Sequence, residues 1–207
     1  MSQTARSYST VPEGVEELLI SHLPHSLPLL RRLQFTTFEG GITPTSNIIF
    51  SPDIPQIVAS VPENRSDQPK VFAAAYLDFS RGPETEMWIY STLEDGEVDD
   101  ADKVVGEDQV LAVLQEAKRI GREYVRGGRP VDAVLIGTLS TKIRQILIGR
   151  QIKIRPSTNW EYEKWLFKLD QVPARDFVRL EQGMNWAPAT MDDLQLVLSR
   201  THIPREV

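Results

Sequence analysis

The strongest constraint on the fold lies in residues 70–94, where two β-type runs flank a short polar turn. The first run, residues 71–77, is small, apolar and aromatic, and the second, residues 87–90, contains Trp88 and Tyr90. The segment between them contains the turn-favouring residues Asp78, Ser80, Arg81, Gly82 and Pro83. Aromatic and apolar runs bounded by such residues are typical of paired strands. We therefore expect adjacent antiparallel strands over residues 71–77 and 86–92, as the central hairpin of a sheet.

The segments on both sides of this hairpin alternate between strand and helix patterns. Short apolar or aromatic runs predict further strands at residues 48–50, 56–61, 131–136, 151–155 and 162–168. Helical spacing with capping residues predicts helices that begin near Thr10, Ser26, Glu107, Ser140 and Thr190. This alternation indicates an α/β or α+β sheet protein.

Composition narrows the class of protein further. A chain of 207 residues is one large domain or two small ones, and its net charge of −6 argues against a nucleic-acid surface. The absence of cysteine excludes disulfides, a catalytic thiol and a cysteine-ligated zinc site, and it suits a reducing compartment. No apolar run approaches the roughly 20 residues that span a bilayer. We expect a soluble cytoplasmic protein with a disordered tail over residues 1–12.

The common catalytic and metal-binding motifs are missing from the sequence. His22 and His25 flank a predicted helix end, where solvent-exposed histidines are expected rather than a shared metal, and His202 has no evident partner. The acidic run 94–102 lacks the order of a calcium loop and predicts an exposed loop. Neither glycine pair belongs to a phosphate-binding motif, and no nucleophile elbow occurs. We predict no metal site.

Aromatic side chains are the remaining candidates for a binding site. Trp88, Tyr90, Trp160 and Trp165 lie in predicted strands or beside them. Aromatic residues in strands more often belong to a core than to a ligand pocket. Both interpretations stay open, and packing is the favoured one.

Three passages together carry a resemblance to a known family. They are Leu23–Leu27 with residues 33–35 and 40–47, the hairpin segments 76–79 and 88–91, and residues 185–205. In these passages the chain resembles a fungal-type member of the glycine N-acyltransferase-like branch of the GNAT acyltransferase superfamily. The resemblance implies a mixed, mostly antiparallel twisted sheet flanked by helices. It also implies acetyl-CoA or another acyl-CoA as co-substrate, with no covalently bound cofactor.

The resemblance maps this chain onto the N-terminal lobe of the family. Residues 13–184 correspond to that lobe, and residues 185–207 to the start of a truncated second lobe. In the family, the second lobe holds the CoA pyrophosphate with a loop of the form [QR]xxGx[GA], which does not occur in this sequence. No catalytic or cofactor-binding residue is therefore carried over. A shortened gene product, an expressed fragment and a lobe with its own role remain as explanations.

Two functions from different classes follow as hypotheses. The first is an N-acyltransferase that moves an acyl group from CoA to a small-molecule amine. The alternative is a non-catalytic ligand-binding or protein-interaction module of the same fold, for which a homodimer or a partner lobe would be expected. In either case Tyr76, Trp88 and Tyr90 are expected in a pocket or in packing between lobes. A third hypothesis is a biosynthetic accessory enzyme of another class, but no residue or motif in the sequence points to it.

Overall fold

A five-stranded sheet lies at the centre of residues 1–161, the first of two compact units into which the chain divides; the second is residues 162–207. The structure is a computed structural model. It describes residues 4–52, 71–82, 85–126, 128–155, 187–188 and 190–200.

The sheet is antiparallel except at one edge. The strands are β1 (Arg6–Tyr8), β2 (Asn47–Ser51), β3 (Ala73–Leu77), β4 (Met87–Ser91), β5 (Val125–Arg126), β6 (Arg129–Pro130) and β7 (Ile136–Gly137). The order in the main sheet is β1-β2-β3-β4-β7, with β7 parallel to β4, while β5 and β6 form a separate ribbon. This confirms the predicted mixed, mostly antiparallel sheet.

Helices cover both faces of this sheet. They are α1 (Val15–Ser21), α2 (Leu27–Phe35), α3 (Asp100–Glu123) and α4 (Thr141–Gly149), and the second unit contains α5 (Met191–Arg200). Buried residues of α1 and α2 pack on one face of the sheet, and those of α3 and α4 on the other. The prediction of helices on either side of the sheet is therefore confirmed.

The β3–β4 pair is the central hairpin that the sequence predicts. Ala73 pairs with Ser91 and Tyr76 with Trp88. Successive strand residues point to opposite faces, so Tyr76 faces the cluster of α1 and α2 while Ala75 faces that of α3 and α4. Every residue of β3 is buried, because both faces of the strand are covered by helices.

Polar side chains fix where the helices begin. The Ser140 side chain accepts a hydrogen bond from the Ile143 amide at 3.2 Å, which starts α4 at the predicted place. Asp99 caps α3 in the same way, at 2.8 Å from the Asp102 amide. The predicted acidic loop over residues 94–102 is therefore wrong in part. Its last carboxylates lie in the first turn of α3, where the helix dipole favours negative charge.

Several predicted boundaries differ from the structure. The disordered tail predicted for residues 1–12 is wrong for Arg6–Tyr8, which pairs with β2 as an edge strand. Helix α1 begins after Gly14, whose φ is 79°, and not near Thr10. Residues 151–155 form no strand, and only the end of the predicted strand 131–136 pairs with β4. The strands predicted at 56–61 and 162–168 lie outside the described residues.

The cap predicted for the last helix is present. The Thr190 amide donates to Asp193 Oδ2 at 2.8 Å, and the Asp193 amide donates to Thr190 Oγ1 at 3.3 Å. This reciprocal pair is a capping box with Asp in place of Glu. No helix in the part of the chain that the structure describes is both long and apolar enough to cross a membrane.

Candidate functional site

A buried carboxylate stands at the end of β3, where the sheet meets the loop that precedes β2. Asp78 is 0% exposed. Its Oδ1 accepts hydrogen bonds from Thr45 Oγ1 at 2.9 Å and from Ser80 Oγ at 2.7 Å, and its Oδ2 accepts one from Thr43 Oγ1 at 2.9 Å. Several donors on one carboxylate compensate for its removal from water. Asp78 therefore ties the loop before β2 to the turn after β3.

The network extends from Asp78 to two arginines. Arg81 Nε lies 3.3 Å from Asp78 Oδ2, and Tyr76 OH is at the same distance from that oxygen. Tyr76 OH also accepts a hydrogen bond from Arg32 Nη2 at 2.6 Å and lies 2.8 Å from Ser46 Oγ. One continuous hydrogen-bond network therefore joins α2, the loop before β2 and the turn after β3.

The Asp78 carboxyl is held in its ionised form. Burial alone would raise its pKa, but hydrogen bonds from Ser80, Thr45 and Thr43 outweigh burial and lower the pKa from 3.8 to about 2. Donors that favour the charged form are the cause of this shift. The arrangement stabilises a fixed negative charge and is unsuited to taking up a proton near neutral pH.

A pH dependence of stability follows from this shift. Because the pKa of Asp78 is lower in the folded protein, its stabilisation is complete above pH 3.8 and is lost as the pH falls towards about 2. Urea unfolding at several pH values should show the free energy of unfolding falling more steeply below pH 4 in the wild type than in Asp78→Asn. Parallel curves for the two proteins would contradict the assignment.

Arg32 lies over an aromatic floor made by neighbouring strands. Its Cζ is 4.2 Å from the centre of the Tyr76 ring and 5.2 Å from that of Trp88. The two rings pack edge to face with centres 6.0 Å apart, as expected for a directly opposed cross-strand pair. This stacking fixes the plane of the guanidinium and leaves its edges for hydrogen bonding.

A shallow basin opens beside the two arginines. Arg32 Nη2 and Arg81 Nη2 both donate to the Gly41 carbonyl, at 3.2 and 3.3 Å, so these nitrogens are at most about 6.5 Å apart. The basin has a volume of about 380 Å³, and it is lined by Arg32, Phe35, Phe38, Glu39, Gly40, Gly41 and Arg81. We call this group of residues the arginine basin. Its chemistry suits an anionic group on a molecule with an apolar part.

The Tyr76 hydroxyl is expected to contribute measurably to stability. Tyr76→Phe removes the partner of Arg32 Nη2 and Ser46 Oγ inside a buried network. We expect the free energy of unfolding to fall by about 1 to 2 kcal/mol in urea denaturation. Tyr124→Phe is the control, because no hydrogen bond to its hydroxyl occurs within the described residues. Equal effects of both changes would show that the hydrogen bonds of the Tyr76 hydroxyl do not contribute to the free energy of unfolding.

Tyr90 lies in a different polar group on the same face of the sheet. Its hydroxyl donates to both Asp95 oxygens, at 2.9 and 2.7 Å, and His22 Nδ1 is 2.6 Å from Asp95 Oδ2. Burial, together with Asp95, raises the pKa of Tyr90 well above its usual range. The prediction of a solvent-exposed histidine at residue 22 is wrong in part, because the side chain is 21% exposed but its ring packs edge-on to Phe72. His25 is exposed, and His202 lies outside the described residues.

Only part of this arrangement follows from the sequence patterns. The structure brings Tyr76 and Trp88 together, whereas Trp160 and Trp165 lie outside the described residues. The importance of Arg32, Asp78 and Arg81 was missed, because Asp78 and Arg81 look like ordinary turn residues. The hydroxyl-rich segment Thr43–Ser46 is the one signal that points to a buried acceptor nearby. No group of three metal-ligating side chains occurs in the described ranges.

The sheet and its helices are consistent with a GNAT-like acyltransferase fold. A family model described as the acyl-CoA N-acyltransferase verG N-terminal domain matches residues 3–165. The match covers more than half of the chain, and the chain therefore belongs to this family. Membership of an acyl-CoA N-acyltransferase family implies acyl-CoA as the co-substrate. Comparison with curated proteins and with solved structures gave no match.

Proposed function

We propose that residues 13–184 act as the N-terminal lobe of an enzyme that transfers an acyl group from a CoA thioester to a small-molecule amine. The observation that carries this proposal is the family match over residues 3–165. The three resembling passages support the finer assignment to the glycine N-acyltransferase-like, fungal-type branch. We assign residues 185–207 to the start of the second lobe.

The reaction itself has a simple balance. The neutral amine nitrogen attacks the thioester carbonyl carbon, the carbon–sulfur bond breaks, and CoA leaves as the thiolate. The proton lost by the nitrogen passes to a base and finally to the thiolate. The sequence contains no [QR]xxGx[GA] loop. The proposal therefore gives this lobe a role in acceptor binding and lobe packing, and assigns the CoA pyrophosphate to another lobe.

The proposal includes the three aromatic residues singled out from the sequence. We assign Tyr76 and Trp88 to the floor beneath Arg32, next to the arginine basin, on the basis of their ring contacts. Tyr90 is assigned to packing, because its side chain is buried and its hydroxyl is taken up by Asp95. None of the three is proposed as a group that takes part in the chemistry.

The second candidate function is a binding module without catalysis. It is favoured by the arginine basin, whose lining offers cations and aromatic rings but no activated nucleophile. Such a module would bind a ligand or a partner lobe through the same surface. The two candidates differ in whether a gene product that contains this lobe forms an amide from acyl-CoA.

The experiment begins with the genomic DNA that follows the codon for Val207. We expect an in-frame lobe with the [QR]xxGx[GA] loop, and a two-lobe product that releases CoA thiol only when an amine is present. Removing residues 13–184 from that product should lower amide formation at least about a hundredfold, as followed by mass spectrometry. An open reading frame without such a lobe, together with an inactive chain, would overturn the proposal in favour of the binding module.

The lobe alone provides a second measurement. Calorimetric titration of the 207-residue chain with acetyl-CoA should give binding no tighter than about 1 mM. Micromolar binding with amine-dependent thiol release would support the transferase but contradict the placement of the CoA site in another lobe.

A further inference from the structure

We propose that the arginine basin binds the anionic group, a carboxylate or a phosphate, of a small amphiphilic molecule through Arg32 and Arg81. The inference rests on the hydrogen bonding and charges of the described residues, and it does not depend on thioester chemistry. Its failure and the failure of the proposed function are therefore separate outcomes.

The first step concerns unused donors. Arg32 Nη2 donates hydrogen bonds to the Tyr76 hydroxyl and the Gly41 carbonyl. Arg81 Nε donates to Asp78, and Arg81 Nη2 donates to the carbonyls of Gly40 and Gly41. Within the described residues the Nη1 of each arginine has no hydrogen-bond partner, yet neither Nη1 is buried. Two guanidinium groups therefore offer free donors at the edge of one basin.

The second step concerns charge. Within the described part of the chain Arg32 has no carboxylate within ion-pair distance. The Arg81 guanidinium shares Asp78 with six other donor groups, five side-chain hydroxyls and one backbone amide, at distances up to 3.3 Å. Glu39 also lines the basin, and it forms no ion pair with another residue that the structure describes. The side chains that line the basin include two guanidinium groups and one carboxylate, while the Asp78 carboxylate is buried among its donors. In a chain of net charge −6 the surface of the basin therefore attracts an anion.

The third step concerns preorganisation. The guanidinium of Arg32 is held by stacking on Tyr76 and Trp88 and by its bonds to Tyr76 and Gly41, so little side-chain freedom is lost on binding. Its Nε is buried without a partner in the described structure, which marks a site whose polar groups are not satisfied by the protein alone. A planar fork of this kind matches the oxygens of carboxylates and phosphates.

The fourth step concerns the apolar side of the basin. Phe35 and Phe38 are 49% and 64% exposed, and their ring centres are 6.0 Å apart. Both rings line the basin beside the arginines. A ligand with an apolar portion next to its anionic group would cover these rings and gain from their removal from water. We therefore expect amphiphilic anions to bind more tightly than inorganic ones.

Arginine side-chain NMR on the full chain tests the proposal. Inorganic phosphate, acetate, hexanoate and CoA are titrated while the Nε–Hε signals of Arg32 and Arg81 are followed. We expect saturable shifts at both residues, with dissociation constants on the order of 1 to 10 mM for the inorganic or small anions. Hexanoate should bind more tightly than acetate. A response to phosphate and CoA alone would identify phosphate as the group, and one to the carboxylates alone would identify carboxylate.

Matched variants separate the basin from general electrostatics. Arg32→Gln should weaken binding at least about tenfold, and Arg32→Lys should restore only part of it because lysine lacks the planar fork. Arg31→Gln removes the same charge from the adjacent residue of α2, whose Nη1 bonds Gln34, and should change binding less than about twofold. No saturable shift with any of the four compounds, or equal losses in Arg31→Gln and Arg32→Gln, would overturn the proposal.

Discussion

Replacement of Asp78 by alanine is expected to lower the free energy of unfolding by about 3 to 5 kcal/mol, the range for removing one partner of a buried charged network. The side chain is fully buried and ties Thr43 and Thr45 to Ser80. Without it, these donors lose their acceptor in a region that water cannot easily reach. Urea denaturation followed by far-UV circular dichroism at pH 7 measures the loss.

A second variant separates charge from shape. Asp78→Asn keeps the size of the side chain but replaces one acceptor oxygen by an amide group that donates, and this group would face other donors. We expect the free energy of unfolding to fall by roughly 2 to 4 kcal/mol, as for the loss of a buried hydrogen-bond network. Asp132→Asn makes the same chemical change at an exposed site and should stay within about 0.5 kcal/mol of the wild type. Indistinguishable effects at the two positions would show that Asp78 is not a structural anchor.

The central hairpin was predictable because two apolar and aromatic runs flank a segment of turn-favouring residues. In the observed register Tyr76 lies opposite Trp88, and both rings face the same helices. The edge strand at Arg6–Tyr8 was not predictable, since its short polar sequence gains strand structure only by pairing with β2. Tertiary pairing overrides weak local preference at such an edge.

The arginine basin was hidden for a different reason. Asp78 and Arg32 are 46 residues apart in sequence numbering, and their connection passes through the Tyr76 hydroxyl. No spacing rule links a helix residue with a turn residue on another element. The sequence predicts Tyr76 in a pocket or in packing between lobes, and the structure shows that its hydroxyl belongs to a buried polar network.

Gly41→Ala is expected to lower the free energy of unfolding by about 3 kcal/mol, at the upper end of the cost of overpacking. A methyl group at this position would stand 1.8 Å from the Phe35 carbonyl oxygen. That neighbour is backbone at the end of α2, so relief requires the chain to move. Differential scanning calorimetry and urea denaturation both report the change.

Two glycine controls isolate the steric cause. Gly96→Ala adds a methyl group to open space at ordinary φ and should change stability by less than about 0.5 kcal/mol. Gly40→Ala also meets open space, but its φ of 70° should cost about 1 kcal/mol. If Gly41→Ala costs no more than Gly40→Ala, close packing against α2 does not fix this turn.

The same substitution links stability to the arginine basin. The Gly41 carbonyl accepts hydrogen bonds from both Arg32 and Arg81, so a shift of residue 41 moves the acceptor that holds the two guanidinium groups together. We therefore expect Gly41→Ala to weaken anion binding at least about tenfold at temperatures where the variant is still folded, while Gly40→Ala weakens it less. Unchanged anion binding in a folded Gly41→Ala variant would show that this carbonyl does not position the two arginines.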